Sequence, residues 1–265
     1  MRKVILIIVA LALVISIIRA ESTGTVTSDN SKSGNKTNKP IDIYDFPIKP
    51  GTKEWKALGT HKNIVKACQI PEDILKKMST EGLIETCLRY PFLPDMFLSN
   101  NIQKGFESIV LTFNGLQELL RREDASTKLL AKYRQIRKLD RQSIQKEFGE
   151  FGVFYFRCFE IVISQNIILS KLSEEEKVKL LRECIWKYHE RQKHPNTYGY
   201  VSKHRVKSHE TLLLMGRILE NEEYKPFKLK IQDKKYLRDF LDGAVWASDT
   251  DEIIPEVEKF LKNKK

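Results

Sequence analysis

The residues best suited to chemistry lie in the C-terminal half of the chain, where four of its five histidines are found. They are His189, His194, His204 and His209. Clustered imidazoles suggest a metal site, because histidine is a common ligand of zinc. His194 follows His189 one residue too late for the HExxH motif, so the two rings would not share a helical face. Glu210 after His209 has no histidine downstream either. The spacing therefore predicts no metal in this region.

The four cysteines suggest either disulfides or buried thiols. They are Cys68, Cys87, Cys158 and Cys184. Two disulfides could form if the chain is exported to an oxidising compartment, and four cysteines allow three pairings. Each cysteine lies on an apolar face beside leucine, isoleucine or phenylalanine, however, which favours buried free thiols. No CxxC spacing occurs, so zinc fingers and thioredoxin-like redox chemistry have no support.

A hydrolase could use Cys184 as its nucleophile with His189 or His204 as the base. Reactive cysteines lie in exposed, electropositive surroundings that lower the thiol pKa, whereas Cys184 falls on the apolar face of a predicted helix. A Gly-rich phosphate loop, a serine elbow and a paired-carboxylate motif are also missing from the sequence. The sequence thus assigns no catalytic residue and predicts no cofactor.

Positive charge is the clearest property of the same region. Its basic residues are Lys187, Arg191, Lys193, Lys203, Arg205 and Lys207, with Tyr198 and Tyr200 among them. Pro195, Asn196 and Gly199 indicate a loop. We expect this basic loop, around Lys193–Lys207, to bind an envelope protein or an anionic polymer, or else to form a solvated face. Export and the lack of any nucleic-acid motif make nucleic acid a poor partner.

The first twenty residues have the pattern of a secretory signal peptide. Arg2 and Lys3 precede an apolar run of fifteen residues, Val4–Ile18, and Ala20 provides a small residue at its exit. The run is shorter than the ~20 residues that a membrane-spanning helix needs, which favours cleavage over an N-terminal anchor formed by residues 4–18. Cleavage after Ala20 would leave 43 basic residues against 35 acidic ones, a net charge of +8. The sequence predicts export, with a retained membrane anchor as the alternative.

Residues 21–50 are predicted to be a flexible tether followed by an extended arm. The stretch up to Pro40 has hardly any apolar side chain with which to offset the entropy of ordering. Pro47 and Pro50 favour extended backbone from residue 41 onward. Residues 51–265 then form one helical domain, since no second linker divides them.

Helical periodicity runs through the whole of this domain. Its clearest example begins after Asn100, where one face is formed by Ile102, Phe106, Ile109, Val110, Phe113, Leu116, Leu119 and Leu120. Ser79 is predicted to cap a helix from Thr80, and Ser173 with Glu176 forms a capping box. Further helices are expected over 234–241 and 252–264. We therefore predict an all-α fold without strands, either an irregular multi-helix bundle or stacked helix pairs, with an α-solenoid-like arrangement as the alternative.

The segment Phe148–Leu172 is apolar on nearly all sides and is predicted to be the core helix. Glu150, Arg157, Glu160 and Gln165 interrupt it, which disfavours a transmembrane span. A second set of basic residues is expected to face solvent without a partner. This set consists of Arg121, Arg122, Lys132, Arg134, Arg137, Lys138 and Arg141.

Three stretches of the chain resemble a family of exported helical proteins. They read HKNIVKACQIPEDILKKM, TEGLIETCLRYPFL and NGLQELLRREDASTKLLAKY, and lie between about residues 55 and 133. In these stretches the chain resembles uncharacterised exported proteins of Bacteroides-type bacteria. The resemblance implies a helical fold and an envelope or secreted location, but no activity and no catalytic residues.

Three functions remain open from the sequence. The first is a non-enzymatic interaction or binding module of the cell envelope. The second is an envelope hydrolase of unknown class that uses Cys184, His189 or His204. The third is a membrane-tethered structural spacer, which requires that the N-terminal segment is retained.

Overall fold

The fold is all-α, as the sequence predicts, and it is seen in a computed structural model that describes residues 42–202, 205–206, 208–244 and 250–264. These ranges belong to one compact unit, Pro40–Lys265. The predicted signal segment 1–20 and the tether up to residue 40 lie outside the described residues.

Helices follow one another through short turns along the described chain. The α-helices are α1 Lys53–Ala57, α2 His61–Ala67, α3 Glu72–Leu75, α4 Thr80–Leu88, α5 Ile102–Thr112, α6 Asn114–Arg121, α7 Ala125–Gln135, α8 Arg141–Phe148, α9 Gly152–Ile163, α10 Asn166–Leu169, α11 Glu174–Gln192, α12 Pro195–Tyr198, α13 His209–Asn221, α14 Lys225–Asp233, α15 Lys235–Leu241 and α16 Ile253–Lys262. Two 3₁₀ helices, Leu93–Leu98 and Thr250–Glu252, complete the helical elements.

Two very short strands are the exception to the helical pattern. Strands β1 Tyr200–Ser202 and β2 Arg205–Val206 pair antiparallel, with Tyr200 opposite Val206. The sequence predicts no strand here, because segments of three and two residues are too short to show a period of two. The pair does not change the all-α class.

The predicted helix starts depend on side-chain caps, and the structure confirms them. The Ser79 hydroxyl accepts a hydrogen bond from the backbone N–H of Gly82 at the start of α4. At α11, Ser173 and Glu176 form the full capping box, in which each side chain accepts from the other residue's backbone N–H. These contacts satisfy donors that a helix N-terminus otherwise leaves unpaired.

The amphipathic stretch after Asn100 forms two helices instead of one. Phe113 has extended backbone between α5 and α6, and its ring is fully buried. Asn114 stabilises the break, because its side-chain amide donates to the Ile70 carbonyl at 2.7 Å while its backbone N–H donates to Gln69 at 3.1 Å. The predicted faces are nevertheless correct, since the apolar residues point inward and Lys104 is exposed.

The predicted core helix Phe148–Leu172 is also divided, although its core position is confirmed. Helix α8 ends at Phe148, and Gly149 then turns the chain at a φ of +84°, which favours glycine. The central part, α9, has a run of buried residues from Cys158 to Ile163. The chain breaks again at Ser164 and Gln165 before α10.

Helices α9, α11 and α13 form the centre of the fold. Helix α13 packs against both α9 and α11 and also against α16 near the end of the chain. In a solenoid each repeat contacts only its neighbours, so these contacts between distant elements favour the irregular bundle over the solenoid-like alternative. No described helix combines the length and the apolar character that crossing a membrane would need.

Residues 42–50, where the sequence predicts an extended arm, form neither helix nor strand and pack against the bundle. Phe46 is buried, and its ring packs against Tyr90 and Phe113. The Tyr44 backbone N–H donates to the Thr86 hydroxyl at 3.0 Å.

Helix α5 approaches the 3₁₀ helix Leu93–Leu98 so closely that a Cβ on Gly105 would collide with the Met96 carbonyl.

Candidate binding groove

The thiol and imidazoles of the hydrolase hypothesis do not meet in the described structure. Cys184 of α11 is fully buried, and its thiol contacts the Tyr133 hydroxyl of α7. Burial raises the pKa of the Cys184 thiol, which disfavours the reactive thiolate. His189 is exposed on α11, and His204 lies outside the described residues. The geometry therefore provides no nucleophile with a base beside it at Cys184.

All four cysteines are buried free thiols, as the sequence favoured over disulfides. Burial raises the pKa of Cys68, Cys87 and Cys158 as well. Among the described residues, no group of three histidines, cysteines or carboxylates could hold a metal ion. His194 instead lies 3.5 Å from Glu190, one turn before it on α11.

Two cations of the predicted basic region are buried in the core and cannot contribute to a basic surface. Lys187 and Arg191 were expected among its charges, but both side chains are fully buried in α11. Lys193 remains exposed and pairs with Glu190 at 2.7 Å. Lys203 and Lys207 lie outside the described residues. Binding of an anionic partner by this loop stays a prediction.

The basic set from Arg121 to Arg141 is only partly solvent-facing. Arg121, Arg134, Arg137, Lys138 and Arg141 are exposed as expected.

Arg122 and Lys132 contradict the expectation that this set faces solvent, because both are half-buried. Arg122 donates to the carbonyls of Leu75 and Met78, at 3.1 and 2.8 Å. Lys132 bridges Glu85 and Glu147. Both therefore tie helices together, because a long cationic side chain can cover apolar surface while its head finds acceptors.

Arg191 is part of a buried ionic network at the centre of the fold. Its guanidinium donates to Glu160 at 2.8 Å and to the Thr211 hydroxyl at 2.6 Å. Glu160 also accepts from Thr211 at 2.9 Å and from the Tyr133 hydroxyl at 2.8 Å. Burial would lower the pKa of Arg191, but the charge of Glu160 raises it. This network joins α7, α9, α11 and α13 and has no access to solvent through Arg191 or Glu160.

A second ion pair is formed by Arg157, which lies about one turn before Glu160 on α9. Arg157 of α9 donates to Glu210 of α13 at 2.7 Å and stacks on the Phe97 ring at 4.4 Å. Burial would raise the pKa of Glu210, but the charge and the hydrogen bond of Arg157 lower it to about 2. Both pairs fix α9 against its neighbours, so we interpret them as structural.

A groove of about 720 Å³ lies on the described surface of the bundle. This size lies within the ~300–1,000 Å³ typical of small-molecule sites. The groove is formed by the start of α5, the break between α9 and α10, the end of α13 and the end of α15. Its lining residues are Gln103, Ser164, Gln165, Asn166, Ile167, Leu169, Arg217, Glu220, Asn221, Glu223, Leu241 and Asp242. We call it the amide groove, because four of these side chains are carboxamides.

Arg217 is the cation of the amide groove, and neutral oxygen atoms hold it in place. Its Nε and Nη2 both donate to the Leu241 carbonyl at the end of α15, at 3.0 and 2.9 Å. Nη2 also donates to Gln103 at 2.9 Å, and Nη1 donates to Ser164 at 3.2 Å. One of the five N–H groups of the guanidinium thus has no bonded partner among the described residues. Arg217 also forms no ion pair with any of them.

The electrostatics of the groove leave the charge of Arg217 poorly neutralised. Burial lowers the pKa of Arg217 to about 10, although Glu220 and Asp242 act in the opposite direction. Both carboxylates lie nearer to Arg238, at 2.7 and 3.8 Å. Arg217 therefore remains a partly buried cation that a ligand could neutralise.

The carboxamides form two bonded pairs along the groove. Gln103 donates to Gln165 at 3.0 Å, and Asn221 donates to Asn166 at 2.8 Å. In the second pair, the Asn166 amide nitrogen and the Asn221 amide oxygen have no hydrogen-bond partner among the described residues. The pair therefore offers the donor nitrogen of Asn166 and the acceptor oxygen of Asn221 to a molecule in the groove.

The sequence does not predict this site. Arg217 and Gln103 are 114 positions apart, and Asn221 and Asn166 are 55 apart. No sequence motif links these four residues. The local feature that marks the site is Arg217, a charged residue among the apolar residues of α13. Comparison with protein-family models, curated proteins and solved structures finds no match to this chain.

Proposed function

We propose that this chain is a non-enzymatic binding protein of the cell envelope that holds a small polar ligand in the amide groove. The observation that carries the proposal is Arg217, a partly buried cation held by neutral oxygen atoms at the centre of a groove lined with carboxamides. Ligand sites typically combine such a concave surface with a few converging polar groups.

The chemistry of the lining supports binding over hydrolysis. Ser164 is its hydroxyl residue, and this hydroxyl donates to the Ile161 carbonyl at 2.9 Å while it accepts from Arg217. A serine nucleophile instead needs to share its proton with a base. Neither histidine nor cysteine is among the described residues that line the groove. Glu220 accepts a hydrogen bond from Arg238 at 2.7 Å, and Asp242 lies 3.8 Å from the same guanidinium.

The envelope location is supported by the N-terminal pattern. Arg2 and Lys3, the apolar run Val4–Ile18 and Ala20 are typical of a signal peptide. The resemblance of residues 55–133 to exported proteins of Bacteroides-type bacteria agrees with this interpretation. The intact mass of protein recovered from its host tests it, because cleavage would leave a chain that begins at Glu21, whereas a membrane-bound full-length chain would contradict export.

Saturation-transfer NMR with a panel of polar probes tests the binding site. The panel is glycerol, N-acetylglucosamine, D-glucuronate, N-acetyl-L-leucine and N-acetyl-L-leucinamide. Asn166 is exposed, so Asn166→Trp should fill part of the groove at the cost of one surface hydrogen bond. We expect at least one probe to bind the wild-type protein and to lose most of its signal in Asn166→Trp.

The matched control places the same large side chain elsewhere. Asn196 is exposed on α12 and does not line the groove, so Asn196→Trp should leave the signals unchanged. Equal loss in both variants would reject the amide groove as the site, as would a panel in which no probe binds. Thermal melting of the three proteins shows whether they are folded.

A further inference from the structure

We infer that the ligand of the amide groove carries a single carboxylate next to a secondary amide, which is the chemistry of a peptide C-terminus or an acylated amino acid. This inference rests on the proposed function and specifies its ligand class. It depends on three features of the groove, namely the state of Arg217, the donor and acceptor of the asparagine pair, and the charge of the rim.

Arg217 provides the contact for a carboxylate. Its guanidinium is fixed by Leu241, Ser164 and Gln103, and its remaining N–H belongs to Nη1. A fixed guanidinium binds carboxylates with short, charge-assisted hydrogen bonds. Because its three bonded partners are neutral, an incoming carboxylate does not have to displace a protein carboxylate. The ligand would then neutralise the charge that burial has made unfavourable.

The asparagine pair provides the contacts for an amide. The Asn166 nitrogen can donate to an amide carbonyl of the ligand, and the Asn221 oxygen can accept from its N–H. Both atoms lack hydrogen-bond partners among the described residues. Because α13 carries both Arg217 and Asn221, one turn apart, the carboxylate and the amide contacts lie side by side. A carboxylate next to an amide is the arrangement at the end of a peptide.

The rim of the groove limits the number of negative charges on the ligand. Asp242 has 63% of its side chain exposed, and Glu223 has 80% exposed. Asp242 lies 3.8 Å from Arg238 and Glu223 lies 3.5 Å from Lys228, yet both carboxylates stay exposed and would disfavour a polyanion such as nucleic acid. Ile167 and Leu169 add apolar surface, and Ile167 is 48% exposed. These features suit a ligand with one charge and one apolar side chain, and the described lining has no aromatic ring on which a sugar could stack.

The test compares two probes that differ in one group. N-acetyl-L-leucine carries the carboxylate, whereas N-acetyl-L-leucinamide replaces it with a neutral amide of nearly the same shape. We expect the acid to bind the full chain about tenfold more tightly, because a charge-assisted hydrogen bond is worth more than a neutral one. Calorimetric titration at low and at high salt measures both Kd values, and the preference should shrink as salt is added.

Two arginine variants separate Arg217 from general electrostatics. Arg217→Gln should abolish the preference for the acid while retaining weak binding of both probes. Arg134→Gln is the matched control, because Arg134 is exposed on α7 and does not line the groove. This variant should keep the preference. The comparison of the two probes on the wild-type protein needs no variant, so the inference stays testable if Arg217→Gln does not fold.

Each outcome supports or overturns the inference. Equal affinities for the acid and the amide would overturn it and leave the proposed function in place, since the groove would still bind a polar ligand. Binding of D-glucuronate but not of N-acetyl-L-leucine would overturn it in favour of an acidic sugar. Failure of every probe in the panel would reject the proposed function itself.

Discussion

Removing Arg191 should strongly destabilise the fold, because it would leave Glu160 as a buried charge without its partner. Both side chains are 0% exposed and lie 2.8 Å apart. Breaking one side of a buried ion pair typically costs ~3–5 kcal/mol. The stability of a whole domain is only ~5–15 kcal/mol, so the Arg191→Met variant should lose a large part of it. At the urea dependence usual for small proteins, ~1–3 kcal/mol per M, the unfolding midpoint should fall by about 1–5 M.

Two controls make this prediction specific to the buried charge. Arg182 is exposed on the same helix, so Arg182→Met should change stability by no more than ~0.5 kcal/mol. The double variant Glu160→Gln with Arg191→Met should recover part of the loss, because a neutral carboxamide can still accept from Tyr133 and Thr211.

Urea unfolding followed by circular dichroism at pH 7 measures all of these variants. A cost below ~1 kcal/mol for Arg191→Met would show that the pair does not carry the energy assigned to it. If the double variant loses more unfolding free energy than its two single variants lose together, the role of charge would be refuted.

Four further predictions follow from other buried groups. The pKa of Glu210 in the folded protein is about 2 instead of its usual 4.5, so wild-type stability should decline as the pH falls from about 4.5 to 2. Glu210→Gln should lose about 3 kcal/mol at pH 7 and flatten that decline in acid unfolding curves. Burial lowers the pKa of Lys187 to about 8 from 10.5, so the unfolded chain binds more protons between these values and stability rises with pH there. In urea unfolding across this range, any advantage of Lys187→Met over wild type should shrink by about 3 kcal/mol, and a constant difference would contradict the assigned cause. Gly105→Ala should lower the free energy of unfolding by about 1–3 kcal/mol, because the added Cβ would collide with the neighbouring 3₁₀ helix. Ser108→Ala, on the exposed face of α5, should change the melting temperature little. All four cysteines should resist iodoacetamide at pH 8 in the native protein and react after unfolding in urea, and rapid native alkylation counted by mass would refute their burial.

The parts of the fold that depend on local sequence were predictable. The Ser173 capping box acts over three residues, and the amphipathic faces follow from the period of a helix. Buried cysteines follow from their apolar neighbours in the same way. The overall all-α class rests on these local signals, because each of them needs only the chain within one or two turns.

The breaks within helices were not predictable, since distant residues set them. Phe113 leaves the helical conformation where its neighbour Asn114 bonds to Gln69 and Ile70, more than 40 positions earlier. Burial of Arg191 depends in the same way on Glu160, 31 positions away. In the sequence, a lysine or arginine on a helix looks like a surface residue, because charged side chains are rarely buried without a partner.

The amide groove is the extreme case of this limit. Gln103, Ser164 and Arg217 come from three separate segments, and each alone is an ordinary polar residue. Only their convergence on one guanidinium gives them a common role.

The most direct test of the proposed site is a ¹H–¹⁵N spectrum of the side-chain amides during titration with N-acetyl-L-leucine. The carboxamides of Gln103, Gln165, Asn166 and Asn221 report on the groove itself. The amide of exposed Asn196, on α12, serves as the internal reference. We predict that the signals of Asn166 and Asn221 shift most and saturate with one Kd, while Asn196 stays unchanged. Shifts confined to residues outside the groove, or no saturable shift of these four signals with any probe of the panel, would contradict the proposed site.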